Sequence, residues 1–113
     1  MDAEVAESLA GVVRLLRRAG ALVWGQVSVD GPGSVRQLQA VGIDIVADKA
    51  ALLLLPAYAA EGPVPVGEDP VRLLRSAERL LARLNADTPE PAFDDLRNQV
   101  VELVWEANTG ADA

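Results

Sequence analysis

A chain of 113 residues, half of them apolar, is long enough for one modest core and too apolar for a disordered tail. A formal net charge of −7 disfavours nucleic acid as the main partner, and the absence of cysteine and histidine removes disulfides, thiolate nucleophiles, zinc–sulfur sites and the Ser-His-Asp and Cys-His arrangements. The acidic N-terminus MDAEVAESLA lacks signal-peptide order, and no uninterrupted apolar run nears the ~18 residues of a membrane span, so a cytoplasmic protein is the expectation.

Residues 3–19 read as an amphipathic helix, with Val5, Leu9, Val12, Leu16 and Ala19 on one stripe and Gly20 as its stop. Glu4 and Glu7 near its start and Arg14, Arg17 and Arg18 near its end complement the helix dipole. Residues 21–29, ALVWGQVSV, change to a period of two and predict a strand. Asp30-Gly31-Pro32-Gly33 reads as a turn, and glycines ahead of a helix start can also hold an anion, although no dinucleotide fingerprint or P-loop lysine is present. Ser34 and Gln37 form a capping box that opens a short helix of about two turns, with Val35, Leu38 and Val41 facing inward and Gly42 as its end.

Ile43–Ala47 and Ala51–Leu55 read as a hairpin with Asp48-Lys49 at its turn. In that hairpin Leu52 and Leu54 face one side of a sheet, Leu53 and Leu55 the other, and such a strand needs cover on both faces. A buried helix over 49–60 competes with this reading, opposed by Pro56. PAYAAEGPVPVG is a semi-extended connector. Asp69-Pro70 opens a helix to about Asn85, with Leu73, Ala77, Leu80 and Leu84 inward. A last helix over about 92–108 turns Phe93, Leu96, Val100, Leu103 and Ala107 to one face.

Candidate functional residues are few. Arg72, Arg75, Arg79 and Arg83 lie along one side of the third quarter of the chain. They suit an anion or acidic partner, a solvated face with weak Glu68–Arg72 and Arg75–Glu78 pairs, or internal pairing with the acidic C-terminal helix. Trp24 and Trp105 suit the edge of a core, and Trp105 also suits a partner anchor. An enzyme built from this chain would need a pocket gathering several of Asp44, Asp48, Lys49 and Tyr58. No cofactor or metal is called for by any motif.

SLAGVVRLLRRAGALVWGQVSV (8–29) followed by GIDIVADKAALLLL (42–55) resembles the gas vesicle shell-protein family, especially its minor paralogues. Gly20, Gly25, Val27, Gly42, Asp44 and Val46 carry the resemblance; Pro32–Ala40, read as an inserted helix, and Gln26-Val27 depart from the family's pattern. The resemblance implies polymerisation through the hairpin. Residues 35–84 also look like the small docking domains of peptide-synthetase subunits, which capture a segment of an upstream subunit.

The sequence therefore predicts an α+β fold: an N-terminal helix, a small antiparallel or mixed sheet of about three strands with a short crossover helix, and a C-terminal helical pair. Residues 1–113 form a single domain in this reading, with a helix-and-sheet part at 1–57, a connector at 58–67, the helical pair at 68–108 and a frayed tail at 109–113. The expected function is a non-enzymatic interaction or assembly protein, self-associating or part of a larger assembly, with contacts through Trp24, Leu52, Leu53, Leu54, Leu55 and Trp105. The alternatives are a docking or adaptor module for a peptide segment of a larger enzyme, and a small enzyme or anion-binding domain that uses Asp, Glu or Lys.

Overall fold

Four helices make up the architecture of the computed structural model, which describes residues 3–30, 34–54 and 67–111. They are α1 (Ala3–Asp30), α2 (Val35–Leu52), α3 (Pro70–Asp87) and α4 (Pro91–Ala111), and no strand occurs among the described residues. The expected α+β fold with its three-stranded sheet is therefore overturned.

The expected strands at 21–29 and 43–47 are helical, and the reason is the same in each. α1 does not stop at Gly20 but continues to Asp30 through the segment that alternates. Beneath that alternation Leu16, Ala19 and Val23 keep a 3-4 spacing, and all three are buried. Burial of that stripe against a neighbouring helix outweighs a β-preference that amounts to fractions of a kcal/mol per residue. In α2, Ala40, Ile43, Val46, Ala47 and Ala50 are the buried residues, again at helical spacing. Gly42 and Asp48-Lys49 lie inside this helix and mark neither an end nor a turn.

The leucine block is divided by the end of α2. Leu52 is its last residue, and the Leu53 and Leu54 amides donate back to the Ala50 and Ala51 carbonyls at 3.1 Å. Leu55, Tyr58 and most of the expected connector lie outside the described residues, as do the tight turn at 31–33 and the expected helical alternative beyond Leu54.

The two helix starts with capping signals form where the sequence places them. Ser34 Oγ accepts from the Gln37 amide at 3.2 Å, and Asp69 Oδ1 accepts from the Val71 amide at 3.1 Å with Pro70 in the first turn. Such caps satisfy amides that have no intrahelical acceptor, worth about 1 kcal/mol each.

α1 packs on α2 and α3, and α4 packs on α3 and α2, so the order around the bundle is α1, α2, α4, α3. The register follows from individual contacts. Arg17 meets Asp48 and Trp24 meets Asp44, so α1 and α2 are antiparallel. Gly11 lies beside Leu80 and Arg18 reaches the Gly67 carbonyl, so α1 and α3 are antiparallel too. Lys49 meets Gln99 and Gln39 meets the Glu106 carbonyl, giving the same relation for α2 and α4. Consecutive helices α2 and α3 thus run in the same direction on opposite corners. At ~1.5 Å per residue α1 is about 42 Å long, which matches the 42 Å long axis of the molecule.

One cluster of buried side chains joins all four helices. Leu9 and Leu16 of α1, Ile43 of α2, Leu74 and Leu81 of α3 and Phe93 of α4 are among its fully enclosed members. Each such side chain contributes about 1.5–3 kcal/mol relative to exposure. No polar or charged residue is buried among the described residues.

Candidate functional site

The inward residues of α2 leave a second set of apolar residues on its outer side. Leu38, Val41, Ile45 and Leu52 follow a 3-4-7 spacing and are 70%, 40%, 51% and 83% exposed. Val35, 63% exposed, extends the ridge at the first turn. A soluble helix ordinarily carries polar residues there.

The polar residues of α2 are tied to its two neighbours. Toward α1, Asp44 Oδ2 accepts from Trp24 Nε1 at 2.7 Å, Asp48 Oδ1 accepts from Arg17 at 3.3 Å, and Arg36 donates to Gln26 Oε1. Toward α4, Gln39 Nε2 donates to the Glu106 carbonyl at 3.1 Å and Lys49 Nζ to Gln99 Oε1 at 3.3 Å. Gln99 in turn donates to Asp95 Oδ2 at 2.9 Å. These bonds draw the charged groups of the helix sideways onto α1 and α4 and leave the middle of its outer face aliphatic. Arg36 and Lys49 balance Asp44 and Asp48, so α2 has no net charge on a chain of net −7.

The residues singled out from sequence are dispersed. Trp24 is part-exposed on α1 and borders the ridge through its bond to Asp44. Leu52 ends the ridge, whereas Leu53 and Leu54 fold inward onto the core. Trp105 is exposed on α4 one turn after Val101. Asp44 and Asp48 point to the α1 flank of α2 and Lys49 to its α4 flank, so these three do not converge.

Arg72, Arg75, Arg79 and Arg83 share the outer face of α3, with a shallow open depression along Arg72, Arg75, Ser76, Glu78 and Arg79. Among the described residues none of the four guanidiniums makes an ion pair or a hydrogen bond. The acidic residues of α4 do not fold onto them. Arg97 Nε is a buried side-chain nitrogen with no hydrogen-bond partner among the described residues.

The α2 ridge overturns one expectation: Val35, Leu38 and Val41, expected to face inward, are exposed, because the buried side of α2 is that of Ala40, Ile43, Val46, Ala47 and Ala50. Its signal was the spacing of Leu38, Val41, Ile45 and Leu52, which the assignment of Gly42 as a helix end cut in two. No group of three or more acidic residues stands close enough to hold a metal ion among the described residues. Among them, too, no helix is long and apolar enough to cross a membrane. No protein-family profile, curated protein or solved structure matches the chain.

Proposed function

We propose that this chain is a non-enzymatic protein-interaction module whose contact surface is the outer face of α2. The observation that carries the reading is the ridge of Val35, Leu38, Val41, Ile45 and Leu52, apolar and exposed on a helix whose polar groups are engaged elsewhere. Single exposed leucines are ordinary; a contiguous aliphatic line rimmed by polar residues marks an interaction surface.

The magnitude fits a reversible contact. The exposed fractions amount to about three whole aliphatic side chains, so full cover is worth roughly 4–9 kcal/mol. Association itself costs about 4–15 kcal/mol. Gain and cost are of the same order, so the ridge supports at most a contact that forms and dissolves with concentration, completed by the apolar surface the partner buries in turn. The reading rests on the ridge and draws nothing from the gas vesicle or docking-domain resemblances.

A photo-crosslinking residue at position 38 or 45 tests it in cells. Protein adducts from both positions, and none from position 79 on the α3 face, are the expected result. Adduct yields at 38 and 45 no higher than at 79 would overturn the reading.

A further inference from the structure

We infer that the arginine face of α3 binds a short inorganic phosphate chain, held by Arg72, Arg75 and Arg79 beside the hydroxyl of Ser76. The inference is independent of the α2 reading. Pairing is the first argument. The chain has seventeen acids against ten bases, so an acid is the commoner neighbour for any cation. Arg14, Arg17, Arg18, Arg36 and Lys49 all have partners. Arg72, Arg75, Arg79 and Arg83 are exposed and have none among the described residues, although Glu68, Glu78 and Asp87 each stand three or four positions from one of them. Their own spacing of three, four and four sets like charges side by side along one line, which weakens a helix. The fold gains nothing from this stripe, and an anion laid across it relieves the repulsion.

The lining is the second argument. Arg72 and Arg79 stand seven positions apart, about 10 Å along the axis, and border one shallow depression with Arg75, Ser76 and Glu78. Guanidiniums donate in planar forks that match phosphate oxygens two at a time, and the serine hydroxyl adds a further donor. None of these lining residues is apolar or aromatic, so nothing among them stacks a nucleobase. Neighbouring arginines lie about 4.5–6 Å apart along the axis. Linked phosphates carry charges set as closely on one backbone, whereas the carboxylates of a peptide must each be ordered on a separate side chain, at an entropic cost. Reach is the third argument. α4 packs on α3 and carries Asp94, Asp95, Glu102 and Glu106 against Arg97. A long polyanion would run onto that acidic surface; a short one stays over the arginines, with the more distant acids screened beyond about 8 Å.

Isothermal titration of inorganic tripolyphosphate into the full chain tests the inference. A dissociation constant of about 10–1000 μM is expected. The Arg75→Gln/Arg79→Gln variant, which loses no described partner, should keep the wild-type circular dichroism and bind about tenfold more weakly or worse. Arg17→Gln/Arg36→Gln removes the same charge from α1 and α2 and should bind as the wild type does. Glu78→Gln should bind more tightly, because it removes the one carboxylate at the depression. Amide shifts on adding tripolyphosphate should centre on Ser76. No binding by about 5 mM, equal weakening in both double variants, or shifts centred on another helix overturns the inference. A hexaglutamate peptide that binds as tightly, or ATP that binds more than about tenfold more tightly than tripolyphosphate, overturns the assignment to a bare phosphate chain.

Discussion

Replacing Gly20 by alanine pits helix propensity against helix packing, and the structure decides which wins. Alanine in place of an interior glycine favours a helix by about 1 kcal/mol. At Gly20 the new methyl would sit 2.8 Å from Asp44 Oδ1 and 3.3 Å from Ile43 Cγ2. Ile43 is buried and cannot yield. Asp44 can rotate only by giving up its hydrogen bond to Trp24. Overpacking of this kind costs about 1–3 kcal/mol, and a lost side-chain hydrogen bond about 1 kcal/mol more. The net expectation for Gly20→Ala is destabilisation by about 1–3 kcal/mol. Gly25 provides the contrast in the same helix, because a Cβ there meets nothing within 4 Å. Gly25→Ala should stabilise by about 0.5–1 kcal/mol. With about 4 °C of Tm per kcal/mol for a domain of this size, the two variants should melt on opposite sides of the wild type.

Circular dichroism melts of both variants provide the assay. A Trp105→Phe background leaves Trp24 as the sole tryptophan, so its emission reports the bond to Asp44 directly. Gly20→Ala combined with Asp44→Ser should cost less than the two single substitutions added together, since the double variant removes the Asp44 contact and loses the Trp24 bond only once. A Gly20→Ala variant that melts as high as Gly25→Ala would refute the reasoning, for it would mean that α1 and α2 do not approach closely there.

Leu81→Ala, at a fully enclosed position of α3, should lose about 2–5 kcal/mol in urea unfolding; a loss below about 1 kcal/mol would mean that the α3 side of the core is not packed as described. Replacing Arg72, Arg75, Arg79 and Arg83 singly by glutamine should leave stability within about 0.5 kcal/mol, measured by the same transition, because none has a partner among the described residues. A loss above about 1 kcal/mol at any of the four would revive internal pairing with the acidic helix.

The C-terminal half of the bundle was legible because every local signal there agrees. Asp69 and Pro70 mark one start, and a single apolar stripe from Leu73 to Leu84 and another from Phe93 to Leu103 have no competing period. The N-terminal half misleads because its residues serve two demands. Gly20 and Gly42 look like helix ends, yet each is a notch where another helix comes close: a Cβ on Gly42 would lie 3.3 Å from Leu103 Cδ2. A glycine that stops a helix and a glycine that admits a neighbour are the same letter. Val23, Gly25 and Val27 alternate with Trp24 and Gln26 and so imitate a strand, but only the burial of Val23 reveals the face that counts. The candidate surface was hidden by the same error. Once Gly42 is inside the helix, Leu38, Val41, Ile45 and Leu52 fall on one line; with Gly42 as an end they belong to separate elements. The arginines were visible as a stripe, but whether they had partners was a question of where α4 lies, which no local pattern encodes.

The order of the helices around the bundle makes the molecule divisible. α1 with α2 and α3 with α4 are two hairpins, and the interlocking pairs α1–α3 and α2–α4 are what seal one to the other. Neither half encloses its own apolar side; Leu9 and Leu16 depend on the opposite hairpin as Leu81 and Leu103 do. A chain severed between Leu54 and Gly67 should therefore yield two fragments that recognise each other and rebuild the whole. Two intact chains can likewise trade hairpins, each completing the other's interior with contacts that a single chain ordinarily makes within itself.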